Sequence, residues 1–238
     1  MDTTPNLDTA QIEPQVLSVN THTNTLLAGS FKWMAIGLLI SAVASFITLL
    51  IPTLINFIAE TGYGFLIMAV IEIGLVWYLS ARIATMSKQK AKGFFILYSA
   101  ISGMTLSIIV LIYTSASILS IFLSTAAMFG LLSLYGMRTK KDLTKYGRLA
   151  LFALFGLIIS FIINIFLNST VFDLILSWVG VIIFTVLTAY DVQKIKNMGS
   201  TIITDEDLSK AQIIGALTLY LDFINLFLNL LRIFGRRR

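Results

Sequence analysis

The chain has 238 residues, of which 57% are hydrophobic and only 12% are charged, and its mean hydropathy is +0.90. Soluble domains carry about twice that charged fraction, so the composition excludes an ordinary soluble protein and favours a polytopic membrane protein in a lipid bilayer. The net charge is +5, but the basic residues lie in short loops between apolar runs, which argues against nucleic acid as a partner. No cysteine is present, which excludes disulfides, thiolate metal sites and a cysteine nucleophile.

The predicted elements are a polar tail followed by seven apolar runs. Residues 1–30 are polar and mildly acidic and lack the basic region of a secretory signal, so we expect a flexible cytosolic N-terminal tail. Each later run is near the ~20 residues that a spanning helix requires. The runs cover 31–54, 64–86, 93–114, 116–137, 147–168, 172–194 and 210–235. The sequence therefore predicts an all-α protein whose residues 31–238 form one seven-transmembrane-helix domain.

The distribution of basic residues predicts the orientation. Thirteen of the 17 lysines and arginines fall on the side of the N-terminus, and four fall on the other side. Because basic residues are retained in cytoplasmic loops, we expect the N-terminus to lie in the cytosol. We expect this multi-pass protein in the plasma or inner membrane of the cell. The terminal run Arg236 to Arg238 lies on the opposite side, which leaves open that the last helix re-enters the membrane instead of crossing it.

Five ionisable residues stand out within the predicted spans: Glu72, Arg82, Asp191, Asp222 and Arg232. Such groups are costly at membrane depth, so each is by default a candidate functional residue. Glu72 and Arg232 both fall in the outer half of their helices and carry opposite charges. We expect them to form a buried structural ion pair between the second and seventh spans.

The remaining three residues lie toward the cytosolic side or the middle of the membrane. Asp191 and Asp222 meet only if the sixth helix starts deeper in the membrane than the predicted span 172–194 implies, or if it continues past Lys196. Arg82 could reach Asp191, or it could be an ordinary basic anchor at the end of its helix. Three carboxylates and two guanidiniums leave one negative charge, which must hold a proton or attract a cation.

Three segments resemble a known family. They are STAAMFGLLSLYGMRTKKDLTKYG (124–147), TAYDVQKIK (188–196) and GALTLYLDFINLFLNLLRIFG (215–235), and they are similar to the bacterial branch of the Bax inhibitor-1, or transmembrane Bax inhibitor motif, family. The resemblance implies a seven-helix bundle with the last helix at its centre. It also implies a pH-sensitive calcium leak pathway with a role in stress responses or cell death. Some bacterial members associate with a membrane-anchored quality-control protease.

The resemblance assigns roles to the same five residues. It implies that Asp191 and Asp222 form a pH-sensing pair on the ion pathway, where they bind calcium weakly and transiently. It pairs Glu72 with Arg232 and makes Arg82 the candidate gating arginine. No cofactor is implied beyond the calcium ion or proton itself.

Two other functions compete with a leak channel. Aspartates in two neighbouring spans also suggest an intramembrane aspartyl protease. Such proteases carry a Gly-x-Gly-Asp motif and a Pro-Ala-Leu segment, whereas Asp222 follows Leu-Tyr-Leu and the prolines are Pro5, Pro14 and Pro52, so we expect no enzyme. The second alternative is a regulator that conducts nothing and acts by binding a protease or another membrane protein.

Overall fold

The computed structural model describes residues 7–60, 63–202 and 204–238, and this part of the chain is almost entirely helical. The helices are α1 (Leu7–Leu49), α2 (Pro52–Glu60), α3 (Tyr63–Arg82), α4 (Lys88–Ile112), α5 (Ser115–Arg138), α6 (Thr144–Leu167), α7 (Thr170–Met198) and α8 (Asp205–Phe234), with a 3₁₀ turn at Gly199–Thr201. Seven of the described helices, all except the short α2, are long and apolar enough to span a membrane. The predicted all-α, seven-span fold is therefore confirmed.

The first helix corrects the expectation of a flexible tail. It begins at Leu7, and residues 1–6 lie outside the described part of the chain. Leu26 and Ser30 are fully buried, and the side-chain amide of Gln212 in α8 donates a hydrogen bond to the Thr25 carbonyl at 3.0 Å. The segment just before the first predicted span is thus part of the bundle, because its apolar face packs against α8.

Hydroxyl side chains set where several helices begin. Ser87, Thr114, Ser169 and Thr204 each cap a helix by accepting a hydrogen bond from a backbone N–H in its first turn. These bonds satisfy donors that have no partner within the helix. Asn168 ends α6 in the left-handed conformation, with φ of 48°, so α6 and α7 are joined by a turn of two residues.

Helix α8 lies at the centre of the bundle. In its apolar window 61% of the residues are buried inside the protein, against 11–33% in the other six spanning helices. It packs against α1, α7 and α5, and more lightly against α4 and α3. The expectation that the last helix is central is confirmed.

Two glycines allow backbones to approach closely. A Cβ on Gly103 of α4 would lie 2.3 Å from the carbonyl oxygen of Ser41 in α1, and one on Gly136 of α5 would lie 2.4 Å from that of Ala189 in α7. Both are far below van der Waals contact, so only glycine fits. Small residues at such crossings are typical of helix packing in membranes, where close backbone contact supplies much of the attraction.

The two ends of the bundle differ in charge. The end that carries the α3–α4, α5–α6 and α7–α8 connections is called the basic end. The opposite end is called the far end. Helix α8 runs from the basic end to the far end, where the backbone N–H of Arg238 donates to the Ile112 carbonyl and the N–H of Thr114 donates to the Arg236 carbonyl. The last helix therefore crosses the full height of the bundle, and a re-entrant segment is excluded.

Candidate functional site

The carboxyl groups of Asp191 and Asp222 meet at the interface of α7 and α8. Their side chains are in hydrogen-bond contact. Asp191 is 8% exposed and Asp222 is 4% exposed, and Oδ2 of Asp222 is buried with no hydrogen-bond partner. Two carboxylates this close in a low-dielectric interior repel each other, so a proton or a cation between them is what would stabilise the contact.

Helix α7 brings Asp191 to this position because it continues past Lys196 and ends at Met198. Its last turns are fixed to the α5–α6 connection. The Gln193 side chain accepts a hydrogen bond from the Leu143 N–H at 2.8 Å and donates one to the Lys141 carbonyl at 2.9 Å. Lys196 donates to the Met137 carbonyl at 2.7 Å. Of the two arrangements that the sequence left open, the longer helix is the one observed.

The pair has little cationic compensation. Lys194, one turn along α7 from Asp191, is the cation that acts on that carboxyl, and its ammonium lies 6.0 Å from the centroid of the Tyr190 ring. Among the described residues, no lysine or arginine forms an ion pair with Asp191 or Asp222 within 4.0 Å. A second negative charge at this position would therefore be balanced by a proton or by an incoming cation.

The predicted contact between Arg82 and Asp191 is wrong. Arg82 is the exposed last residue of α3, and no ion pair joins these two described side chains. Helix α3 packs mainly on α4 and α2, whereas Asp191 faces α8. Arg82 instead fits the other interpretation left open by the sequence, that of a basic anchor at a helix end.

The predicted ion pair between Glu72 and Arg232 is also wrong. Glu72 accepts a hydrogen bond from the Thr105 hydroxyl of α4. The guanidinium carbon of Arg232 lies 4.8 Å from the centroid of the Phe161 ring in α6, and no ion pair joins these two described charges. Glu72 is in the middle of α3, and Arg232 is in the last turn of α8, so each finds a nearer partner on a different helix.

Both residues nevertheless line the same space at the far end. A cavity of about 690 Å³ lies among α3, α4 and α8 and is lined in part by Glu72 and Arg232. An adjoining cavity of about 800 Å³ lies beside the α6–α7 turn. The two share the side chains of Phe65, Asp173, Arg232 and Arg237, and we call them together the far-end recess. Neither Asp191 nor Asp222 lines it.

A buried hydroxyl network near the pair was missed by the sequence analysis. The Tyr220 hydroxyl donates to Ser102 Oγ at 3.0 Å and lies 2.7 Å from Ser41 Oγ, which joins α8 to α4 and α1. Its ring makes an edge-on contact with Tyr98, with centroids 5.5 Å apart. The tyrosine two residues before Asp222 was the available signal, because a buried phenol requires a partner.

The described residues contain no group of three or more histidine, cysteine, aspartate or glutamate side chains that could hold a metal ion. Calcium normally takes six to eight oxygen ligands. Two carboxylates, one of them with a free buried oxygen, could supply only part of that set, and water or backbone carbonyls would have to complete it. The arrangement suits a passing ion better than a stored one.

Comparison with known proteins assigns the chain to a family. The family model described as "Inhibitor of apoptosis-promoting Bax1" matches residues 23–238. The "Inner membrane protein YbhL" of Escherichia coli (strain K12) is 44% identical over 216 residues, which is 90% of this chain and 92% of that protein. An "Uncharacterized protein" of Borreliella burgdorferi is 43% identical over 90% of this chain and 93% of its own length. An "Uncharacterized membrane protein" of Streptococcus pyogenes serotype M1 is 35% identical over 90% of this chain and 93% of its own length. The chain is a multi-pass membrane protein that belongs to the Bax inhibitor-1 family.

Proposed function

We propose that the chain is a pH-responsive leak pathway for cations, calcium foremost, and that Asp191 and Asp222 are its gate. The single observation that carries the proposal is the contact of these two buried carboxyls between α7 and the central helix α8. We place it in the plasma or inner membrane, as the name of the Escherichia coli relative suggests. The charge distribution favours a cytosolic N-terminus.

Protons and cations compete for the pair. With one proton shared, the carboxyls attract each other and hold α7 against α8. When the last proton leaves, two negative charges in low dielectric repel, and a cation that enters between them relieves the repulsion. Acid therefore weakens cation binding at the pair. Because Arg82 makes no contact with Asp191, this competition is the one pH effect that the geometry supports at the gate.

A weak site is what a leak requires. An ion that is fully caged by protein oxygens does not leave, whereas conduction needs binding that is favourable enough to enter and weak enough to exit. Two carboxylates completed by water meet that condition for calcium. We infer no protease activity, since Asp222 follows Leu-Tyr-Leu where intramembrane aspartyl proteases carry a Gly-x-Gly-Asp motif.

A second candidate is a regulator that conducts nothing and binds a membrane-anchored protease or another membrane protein. One observation favours it: neither Asp191 nor Asp222 lines the far-end recess, so the pair does not face that space. In that case the carboxyl pair would serve to fix the packing of α7 on α8.

Calcium flux separates the two candidates. The purified protein would be reconstituted in liposomes loaded with a calcium dye, and flux would be measured from about pH 5 to about pH 8, where a shared carboxyl proton at a buried pair exchanges. We expect flux that changes with pH in the wild type and does not change in Asp222→Asn. The asparagine keeps the shape of the side chain but can neither lose a proton nor carry a charge.

Two variants serve as controls. Asp205→Asn removes an exposed carboxyl from the first turn of the same helix, and Arg82→Ala removes the exposed cation at the end of α3. Both should retain the pH dependence of the wild type. If the wild type and Asp222→Asn leak equally at every pH, the pair is not the gate, and if the wild type conducts nothing, the regulator is the better account.

A further inference from the structure

The far-end recess is lined by opposite charges that do not pair with each other. Asp173 lies in the first turn of α7, Arg232 lies in the last turn of α8, and Arg237 follows that helix. All three line both cavities of the recess, yet no ion pair within 4.0 Å joins any two of these described side chains. A charge that faces a cavity without a partner is available to a ligand.

The charges are balanced in number. Glu72 is the fourth carboxyl or guanidinium group of the recess, so two guanidiniums face two carboxyls. Glu72 already accepts the Thr105 hydroxyl, whereas no hydrogen bond or ion pair of the Asp173 carboxylate is present among the described residues. A ligand with a single negative charge would disturb this balance. A zwitterion that presents an anion to the arginines and a cation to Asp173 preserves it.

The recess also borders the lipid-facing surface. The larger cavity is lined by Phe65, Ile165 and Val171, whose side chains are 47%, 71% and 68% exposed on the outside of the bundle. It is also lined by the polar groups of Asn164, Asn168, Ser169 and Thr170. A molecule seated here would have a polar head among these groups and could continue along an apolar surface that faces the hydrocarbon of the bilayer.

We propose that the far-end recess binds the headgroup of a zwitterionic phospholipid with a primary ammonium, from the leaflet at the far end. The phosphate lies between Arg232 and Arg237, where guanidinium groups make charge-assisted hydrogen bonds to phosphate oxygens. The ammonium lies at Asp173, and the acyl chains follow the exposed apolar residues at the mouth. This proposal does not depend on ion conduction.

Native mass spectrometry of the delipidated full-length protein tests it. The protein would be offered phosphatidylethanolamine, phosphatidylcholine and phosphatidylglycerol with identical acyl chains. We expect phosphatidylethanolamine to be retained at about tenfold lower lipid concentration than phosphatidylglycerol, since a charge-assisted bond to Asp173 is gained and a net charge is avoided. Retention of phosphatidylethanolamine should be lost in Arg232→Gln/Arg237→Gln, and its preference over phosphatidylcholine should be lost in Asp173→Asn.

A matched control is available within the chain. Arg236→Gln/Arg238→Gln removes the same charge from the same tail, but these exposed side chains line neither cavity, so the preference should persist. Arg237→Gln alone should weaken retention if the double variant does not fold. Equal retention of the three lipids, or equal loss in both double variants, would overturn the proposal. So would displacement of the lipid by millimolar inorganic phosphate, because the site would then take phosphate as a free ion.

Discussion

Helices α6 and α8 show how this bundle uses hydrophobicity. Helix α6 has the most hydrophobic window of the seven spanning helices, and only 11% of that window is buried inside the protein. Helix α8 has the least hydrophobic window, and 61% of it is buried. In a soluble protein the order would be reversed. Here the most apolar helix faces lipid, and polar groups mark the interior.

The difference in burial between α6 and α8 explains why the polar residues of α8 are informative about the interior of the bundle. Asp222 and Asn229 are buried against other helices, whereas Ser160, on α6, bonds its own helix through the Gly156 carbonyl. The Asn229 amide also donates within its own helix, to the Asn225 carbonyl, but its side chain is buried among neighbouring helices. A change on α8 should therefore disturb packing more than a change on the lipid-facing side of α6.

The largest expected effect contrasts aromatic residues on the two helices. Tyr220→Ala should lower the free energy of unfolding by ~3–5 kcal/mol, because it removes a fully buried ring and its bonds to Ser41 and Ser102. Phe152→Ala, on α6, removes a ring that is 75% exposed on the outside of the bundle. This substitution should change the free energy of unfolding by less than about 0.5 kcal/mol. Unfolding in mixed detergent micelles measures both. Equal effects would contradict the assignment of α6 to the periphery.

The next effect contrasts two glycines. Gly103→Ala should destabilise the protein by about 1–3 kcal/mol, because the added methyl would meet the Ser41 backbone, which cannot move aside. At Gly156 of α6 nothing lies within 4 Å of the added carbon. Gly156→Ala should therefore be neutral or stabilise by up to about 1 kcal/mol, since alanine favours the helix. A cost at Gly156 as large as at Gly103 would contradict the packing described.

A smaller effect tests the partners of Glu72 in two double-mutant cycles. Glu72→Ala and Thr105→Ala should show a coupling energy of about 1 kcal/mol, as expected of a hydrogen bond to a partly buried carboxyl. Glu72→Ala and Arg232→Ala should be additive within ~0.5 kcal/mol, because the two side chains do not touch. Strong coupling in the second cycle and none in the first would restore the ion pair that the sequence predicted.

The smallest effect lies at the start of α6. Hydrogen bonds from the Thr144 hydroxyl and backbone N–H lower the pKa of the exposed Asp142 carboxyl below 3.8. A lowered folded-state pKa stabilises this turn above the unfolded pKa, and that contribution is lost as pH falls through the folded value. The protection factor of the Thr144 amide, which compares its exchange with that of an unprotected chain at the same pH, should therefore fall in acid. In Asp142→Asn this acid-induced loss of protection should be much reduced, and an equal loss in wild type and variant would assign it to another group.

Much of this organisation was predictable from the sequence. The seven spans, the central last helix and the meeting of Asp191 with Asp222 follow from hydropathy, from the family segments and from the cost of unpaired charge in a membrane. The helix from Leu7 was missed, because a polar segment gives no span signal even when Leu26 is buried by α8.

Side-chain partners were predicted less well than helices. Equal depth suggested that Glu72 and Arg232 pair, but depth says nothing about which neighbour each helix faces. Thr105 and Phe161 are ordinary residues in sequence, and only the rotation of α4 and α6 makes them the partners observed. The recess residues Asp173 and Arg237 were missed for the same reason, since each lies beside a helix end and becomes notable only through the space it lines.

The proton shared by Asp191 and Asp222 is the central claim, and infrared spectroscopy of the purified protein tests it most directly. We expect a protonated-carboxyl absorption in the wild type at neutral pH that disappears in Asp222→Asn and persists in Asp205→Asn. Glu72→Gln identifies any contribution from the other carboxyl within a span. A wild-type spectrum with no such absorption, or an absorption that survives Asp222→Asn unchanged, would contradict the account.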